Sequence, residues 1–304
     1  MSRHERRPDA SGFTAAGGRG AAAPLAASPS DDIRLRVLSL GAGVQSTTLA
    51  LMAACGEIGP MPDCAIFADT GWEPTAVYRH LEWLCSPGVL PFPVHIVSAG
   101  NIREGLLQGA EGNRWASIPA FTRTIRRNGC VSIGMIRRQC TQDYKIRPIR
   151  RQVRELLGIR RRRSPLHPVA EQWIGISLDE VLRMKPSFEA WQVNRWPLIE
   201  RRMTRHDCLR WLERKGYPHP PKSSCIGCPF HSNAHWRQIR DEDPGAWADA
   251  VEVDSRIRRG FRGIRGEVFL HRSAVPLAEA DLRNEADYGQ LDLWPNECEG
   301  MCGV

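Results

Sequence analysis

Apolar residues come in short runs along the first half of the chain, each closed by a glycine or a polar turn and followed by helix-like spacing. Arg34 to Leu40 (RLRVLSL) reads as a buried strand, GAGVQS as a turn, and Thr47 to Cys55 (TTLALMAAC) as a helix stopped at Gly56. A second strand fits Cys64 to Ala68, with Asp69-Thr70-Gly71 as its exit and a helix over Pro74 to Leu84. A third fits Val94 to Val97. Asn113 to Gln139 lacks a clear period and reads as a long loop over the site, a kind of segment that is usually functional or disordered. Helices are expected over Lys145 to Leu157, Thr204 to Lys215, His235 to Arg240 and Gly245 to Arg258, and a further strand over Trp173 to Ile176. No internal repeat is visible. Strands alternating with helices predict an α/β fold, a mostly parallel Rossmann-like sheet with helices on both faces and ligands at the carboxyl ends of the strands.

Composition changes this picture at the ends and in the middle. Residues 1–32 are rich in Gly, Ala, Ser, Pro and Arg without periodicity and are expected to form a disordered tail. The main domain is expected over 33–290, with a cysteine-containing tail over 291–304. No stretch approaches the roughly 20 apolar residues of a membrane span, so a soluble, cytoplasmic protein with no membrane partner is predicted. The net charge of +8 comes largely from arginines between Arg123 and Arg163. That charge fits nucleic acid or another polyanion as a partner, and equally a solvated face with nucleotide-phosphate ligands.

Two clusters carry candidate chemistry. Gly41 and Gly43, at a strand-to-helix turn with Ser39, Gln45 and Ser46 beside them, allow backbone amides to approach an anion at a helix N-terminus. Asp69-Thr70-Gly71, at the end of the next strand, is placed to cap a helix or to hold a ribose or a metal, and a simple turn is the plainer alternative. Ten cysteines in a chain of this size favour metal or thiol chemistry over a disulfide framework. Cys225-Ile226-Gly227-Cys228 brings two thiolates within reach of one metal, and Cys140 is the natural third ligand. Spacing alone does not separate zinc from an iron–sulfur cluster. Cys298 and Cys302 lie on the last residues, where a flexible thiol can swing into a site and attack sulfur.

VLSLGAGVQS, FADTGWEP, WIGISLDEVLR and ECEGMCG together resemble the phosphoadenylyl-sulfate reductase family of the PP-loop, adenine nucleotide alpha-hydrolase superfamily. The resemblance implies that superfamily's fold, an inserted cysteine-rich metal loop, and an adenine nucleotide at Gly41 to Ser46. Where PP-loop ATP pyrophosphatases carry an acidic residue this chain has Gln45, which tilts the expected ligand from ATP towards an adenylyl sulfate. The iron–sulfur branch of the family carries Cys-Cys-x-x-Arg-Lys-x-x-Pro followed by CxxC. Cys140, Lys145 and Pro148 match that pattern, while Thr141 replaces its second cysteine. The resemblance therefore implies a four-iron, four-sulfur (4Fe–4S) cluster on Cys140, Cys225 and Cys228. Cys208 is the first candidate for a fourth ligand, and Cys130 and His231 are held in reserve. It further implies Arg183 as an oxyanion ligand, Cys298 as the nucleophile with Cys302 in the place of the family's histidine, and a thioredoxin-like reductant. Thiolation of DNA or transfer RNA with ATP is the alternative activity, and a zinc-stabilised nucleic-acid-binding protein is the non-enzymatic one.

Overall fold

The computed structural model describes residues 32–112, 117–160, 163–284 and 287. Five parallel strands form the main sheet in the order β3-β2-β1-β6-β7: β1 (Leu35–Leu40), β2 (Cys64–Asp69), β3 (Val94–Ser98), β6 (Ala170–Ile174) and β7 (Gln192–Arg195). The alternation of side chains along a strand decides which helices cover which face. Leu38 and Leu40 of β1, with Ala65 and Phe67 of β2, pack under α1 (Val44–Ala54), α2 (Thr75–Leu84) and α6 (Arg205–Arg214). Val37, Cys64, Ile66 and Ala68 point the other way, onto Ile149 and Val153 of α4 (Arg147–Leu156). The chain is thus an α/β protein with a Rossmann-like parallel sheet covered on both faces.

The predicted loop over Asn113 to Gln139 instead contains a β-hairpin. Within it, β4 (Phe121–Ile125) and β5 (Val131–Met135) form an antiparallel hairpin, which β8 (Glu267–Phe269) extends to three strands. The hairpin escapes a periodicity reading because its outward side chains are apolar: Ile125, Val131, Ile133 and Met135 are all exposed. This small sheet, with α3 (Ile102–Ala110), α7 (Asn233–Glu242) and α8 (Pro244–Arg256), surrounds a second core that also takes in Trp72 and Ile226. The helix expected from Lys145 begins earlier, as a wide π-type turn over Thr141–Ile146 that runs into α4. Thr204 caps α6 in a capping box closed by Asp207. Among the described residues no helix is long and apolar enough to cross a membrane.

Candidate functional site

Strand order reverses between β1 and β6, and the cleft at their carboxyl ends is where an open α/β sheet binds its ligands. Its walls include Ser39, Gly41, Gly43, Gln45 and Ser46 from the first βα unit, Gly175 and Glu180 after β6, and Lys145 from the π-type turn. Arg183, Arg205 and Lys222 complete a lining with four cations against two carboxylates, Glu73 and Glu180. Gly43 offers no capping side chain to α1, so the first-turn amides of that helix keep the character of an anion site. Ala42, in the same loop, is held at φ 54, a left-handed conformation that costs a non-glycine residue about 1 kcal/mol.

The exit of β6 presses hard on this loop. A Cβ on Gly175 would stand 2.9 Å from Ser46 N and 3.0 Å from Ser46 Cα, so only glycine lets the two turns approach this closely. Gln45 ties the two walls together. Its amide nitrogen donates to Ser177 Oγ (3.4 Å) and Glu180 Oε2 (3.3 Å), and its Oε1 accepts from Arg205 Nη1 (2.9 Å). Glu180 in turn pairs with Arg183. A glutamine is suited to this position because it donates to a carboxylate and accepts from a guanidinium at once.

At the other end of the cleft, the loop after β2 docks on the CxxC loop. Ile226 N donates to Trp72 O (2.8 Å), Thr70 Oγ1 lies 3.3 Å from Cys225 Sγ, and that thiol donates to Glu73 Oε1 (3.6 Å). Thr70 also donates to Glu73 Oε1 (2.9 Å), which leaves Glu73 Oε2 buried without a partner. Gly227 sits flat against the Trp72 indole, where a Cβ would come within 2.1 Å of Cη2. Burial, and then the charge of Glu73, push the Cys225 thiol far up, while Lys145 pulls it down and Cys140 is near enough to add to the rise. His231 Nε2 donates to the carbonyls of Cys225 and Ile226 at 3.0 and 3.1 Å, and its Nδ1 is buried without a partner.

The predicted site residues divide accordingly. Ser39, Gly41, Gly43, Gln45, Ser46, Lys145 and Arg183 share the cleft, and Cys140 and Cys225 come together beside Lys145. Cys228 follows Cys225 by one turn, its amide bonded to the Cys225 carbonyl at 3.0 Å. Asp69 and Gly71 serve the turn: Asp69 Oδ1 accepts from Gly71 N and Tyr78 Oη, and Gly71 O accepts from Asn101. Thr70 alone of that triplet faces the cysteines.

Cys208 is not brought to the other cysteines. It is fully buried on α6 in the core shared with α1, bonded to Thr48, and burial raises its thiol to about 12. Cys130 lies exposed at the hairpin tip. Arg123 pairs there with Glu267, and Arg126 bonds Ser132, so neither reaches the cleft. Cys298 and Cys302 lie outside the described residues. Glu73, Glu180, Arg205 and Lys222 are the site residues that sequence reasoning missed; Glu73 was signalled only by its place in the TGWE string after β2.

The cysteine end fits a soft metal by donor type, with three thiols and one partnerless carboxylate oxygen around one loop pair. It is not assembled as a closed site: among the described residues, no three His, Cys, Asp or Glu side chains stand close enough together to hold one metal ion. No protein-family profile and no curated protein matches this chain.

Proposed function

We propose that the chain is an adenine-nucleotide-dependent enzyme of sulfur chemistry, similar to the phosphoadenylyl-sulfate reductases of the PP-loop superfamily. One observation carries the reading: a cation-lined cleft at the switch point of the sheet meets, through Glu73 and Lys145, a half-buried cysteine of a CxxC loop. The amides of α1 take one oxyanion group of the nucleotide, and Arg183 takes another. Lys145, between the cleft and Cys225, receives the sulfonate end. Glu73 Oε2, which lacks a donor, accepts one from the ligand.

In the reductase reaction the Cys298 thiolate attacks the sulfonate sulfur, the sulfur–oxygen bond to the nucleotide breaks, and the adenosine phosphate leaves. A second thiol, from Cys302 or a thioredoxin-like donor, attacks Cys298 Sγ, releasing sulfite and forming a disulfide. Cys140, Cys225 and Cys228 are the residues to hold a 4Fe–4S cluster, or zinc. When bound, such a group would tune the electrostatic field beside the sulfonate or offer an exchangeable position for a sulfide.

A second reading, ATP-dependent thiolation of a nucleic acid, is favoured by the number of thiols at this end, three with Cys208 removed, because an unfilled position suits transfer of sulfur. Product analysis separates the two. Incubation with adenylyl sulfate and a thiol donor is expected to give sulfite in the wild type and none in Cys298→Ala; with ATP, the thiolation reading expects AMP and pyrophosphate. Arg183→Ala is expected to weaken binding of the productive nucleotide about tenfold or more, the scale of one charge-assisted contact. Metal analysis of protein purified without oxygen is expected to show metal lost in Cys140→Ala and kept in Cys208→Ala. Absence of binding to any adenine nucleotide would sink both readings.

A further inference from the structure

A second groove lies beside the cleft, between α2, the start of α7 and the proline-rich segment 218–222. Arg205, Pro221 and Lys222 line both, so the groove opens directly into the cleft. We propose that this groove binds a single-stranded nucleic acid and leads one nucleotide of it to the mouth of the cleft.

Charge comes first. Arg79, Arg205 and Lys222 line the groove, and among the described residues its lining holds no carboxylate. Arg79 and Lys222 form no ion pair among the described residues, so both are available to phosphates. The imidazoles add no charge of their own: burial lowers both His80 and His235 to about 4, and Lys222 contributes to the lowering at His235. They stay neutral and planar near pH 7.

Shape and surface chemistry then choose among polyanions. The half-buried Trp83 presents its indole beside His80, with ring centroids 5.2 Å apart, and across from the exposed His219 and the rings of Pro218 and Pro220. Flat apolar surfaces between spaced cations match bases joined by phosphates, since any base can stack on an aromatic ring while its phosphate meets an arginine or lysine. An acidic peptide offers the charge without the planar groups. Arg205 joins the groove to the nucleotide loop itself, through its bond to Gln45 Oε1. The strand's role as sulfur acceptor rests on the nucleotide chemistry proposed for the cleft; its binding does not.

The test uses the full-length protein and fluorescein-labelled 12-residue oligonucleotides of one mixed sequence, as single-stranded RNA, single-stranded DNA and duplex, read by anisotropy across salt concentrations. Three phosphate contacts predict a slope of log affinity on log salt of about −2 for a single strand. Arg79→Glu, an exposed change on the outer side of α2, is expected to weaken binding about tenfold and to flatten the slope by about 0.7 or more. Trp83→Ala is expected to weaken it about tenfold at every salt concentration without changing the slope. Both variants should keep wild-type affinity for adenine nucleotide, because neither residue lines the cleft.

Tighter binding of single strands than of duplex, with both variant effects, supports the groove, and the preferred arm identifies RNA or DNA. Unchanged binding in Arg79→Glu overturns the proposal. So does equal competition by polyglutamate, which would make the groove a site for acidic peptide. If nucleotide binding fails in the wild type while oligonucleotide binding persists, the cleft reading falls and the groove stands.

Discussion

Individual residues divide the chemistry of this site in a way that their positions in the sequence do not disclose. Asp69 is the acidic residue that first draws notice after β2, yet its carboxylate is taken by the turn and by Tyr78, while Glu73 carries the unpartnered oxygen towards the cleft. Cys208 and Cys225 look alike in a list of cysteines. One packs from α6 against Thr48 in the main core, and the other, on the CxxC loop, meets Thr70, Glu73 and Lys145 at the end of β2. His80 shows how burial sets a residue's response to pH. Its Nε2 lies 3.0 Å from Thr47 Oγ1 within the core, and burial lowers it from an ordinary 6.5 to about 4. Between those values the unfolded chain binds a proton that the folded chain refuses, so this contribution to stability is complete above pH 6.5 and is lost as the pH falls towards 4. Thermal melts from pH 8 to pH 4 are expected to show a shallower decline below 6.5 for His80→Gln than for the wild type. Parallel curves would show that His80 is not the group responsible.

Elements are legible in proportion to how fully the core determines them. β1, β2 and β3 are read to within one residue at each end: β1 and β2 because a buried parallel strand is a nearly continuous apolar run, and β3, a part-exposed edge strand, because the Ser98-Ala99-Gly100 turn sets its end. β7, with the polar sequence Gln192–Arg195, is an edge strand half-buried throughout, and nothing in four such residues distinguishes it from a loop. α3 was missed because two glycines interrupt its apolar spacing; Gly105 is needed there, since a Cβ would meet Tyr144 Oη at 2.4 Å. The junction of β6 with α1 is the element-scale feature on which the cleft depends. Gly175→Ala is expected to force the β6 exit away from Ser46, with a loss of about 1–3 kcal/mol in stability from overpacking against backbone that has little freedom to yield. The cleft should suffer more than the fold, so calorimetric titration of nucleotide would show affinity falling at temperatures where circular dichroism reports a native helix content. Full nucleotide affinity in a destabilised Gly175→Ala protein would mean that the junction does not shape the site.

At the scale of the molecule, the cysteine loop belongs to the second core, and the glycine turn at residues 41–46 to the sheet. Ile226 and Trp72 are members of the core built by α3, α7, α8 and the hairpin sheet, with Cys140 and Cys225 packed against it. That core is organised around Asp254, a nearly fully buried carboxylate on α8. It accepts from Leu270 N (2.7 Å) and Leu277 N (3.0 Å) and pairs with Arg258, so one side chain fastens the helix to the segments on either side of the His271 turn. Removing the charge leaves Arg258 without its partner and turns an amide group towards a backbone donor. Asp254→Asn is therefore expected to cost about 3–5 kcal/mol, the range for breaking a buried ion pair from one side. The loss should fall first on the half of the protein that holds the CxxC loop. Reaction with a chromogenic disulfide in mild denaturant would then expose Cys225 and Cys228 in the variant while Cys64 and Cys208, buried against the sheet, stay protected. Release of all these thiols together would instead show that the two cores unfold as one unit, so that any ligand of the cleft would stabilise the cysteine site as directly as Asp254 does.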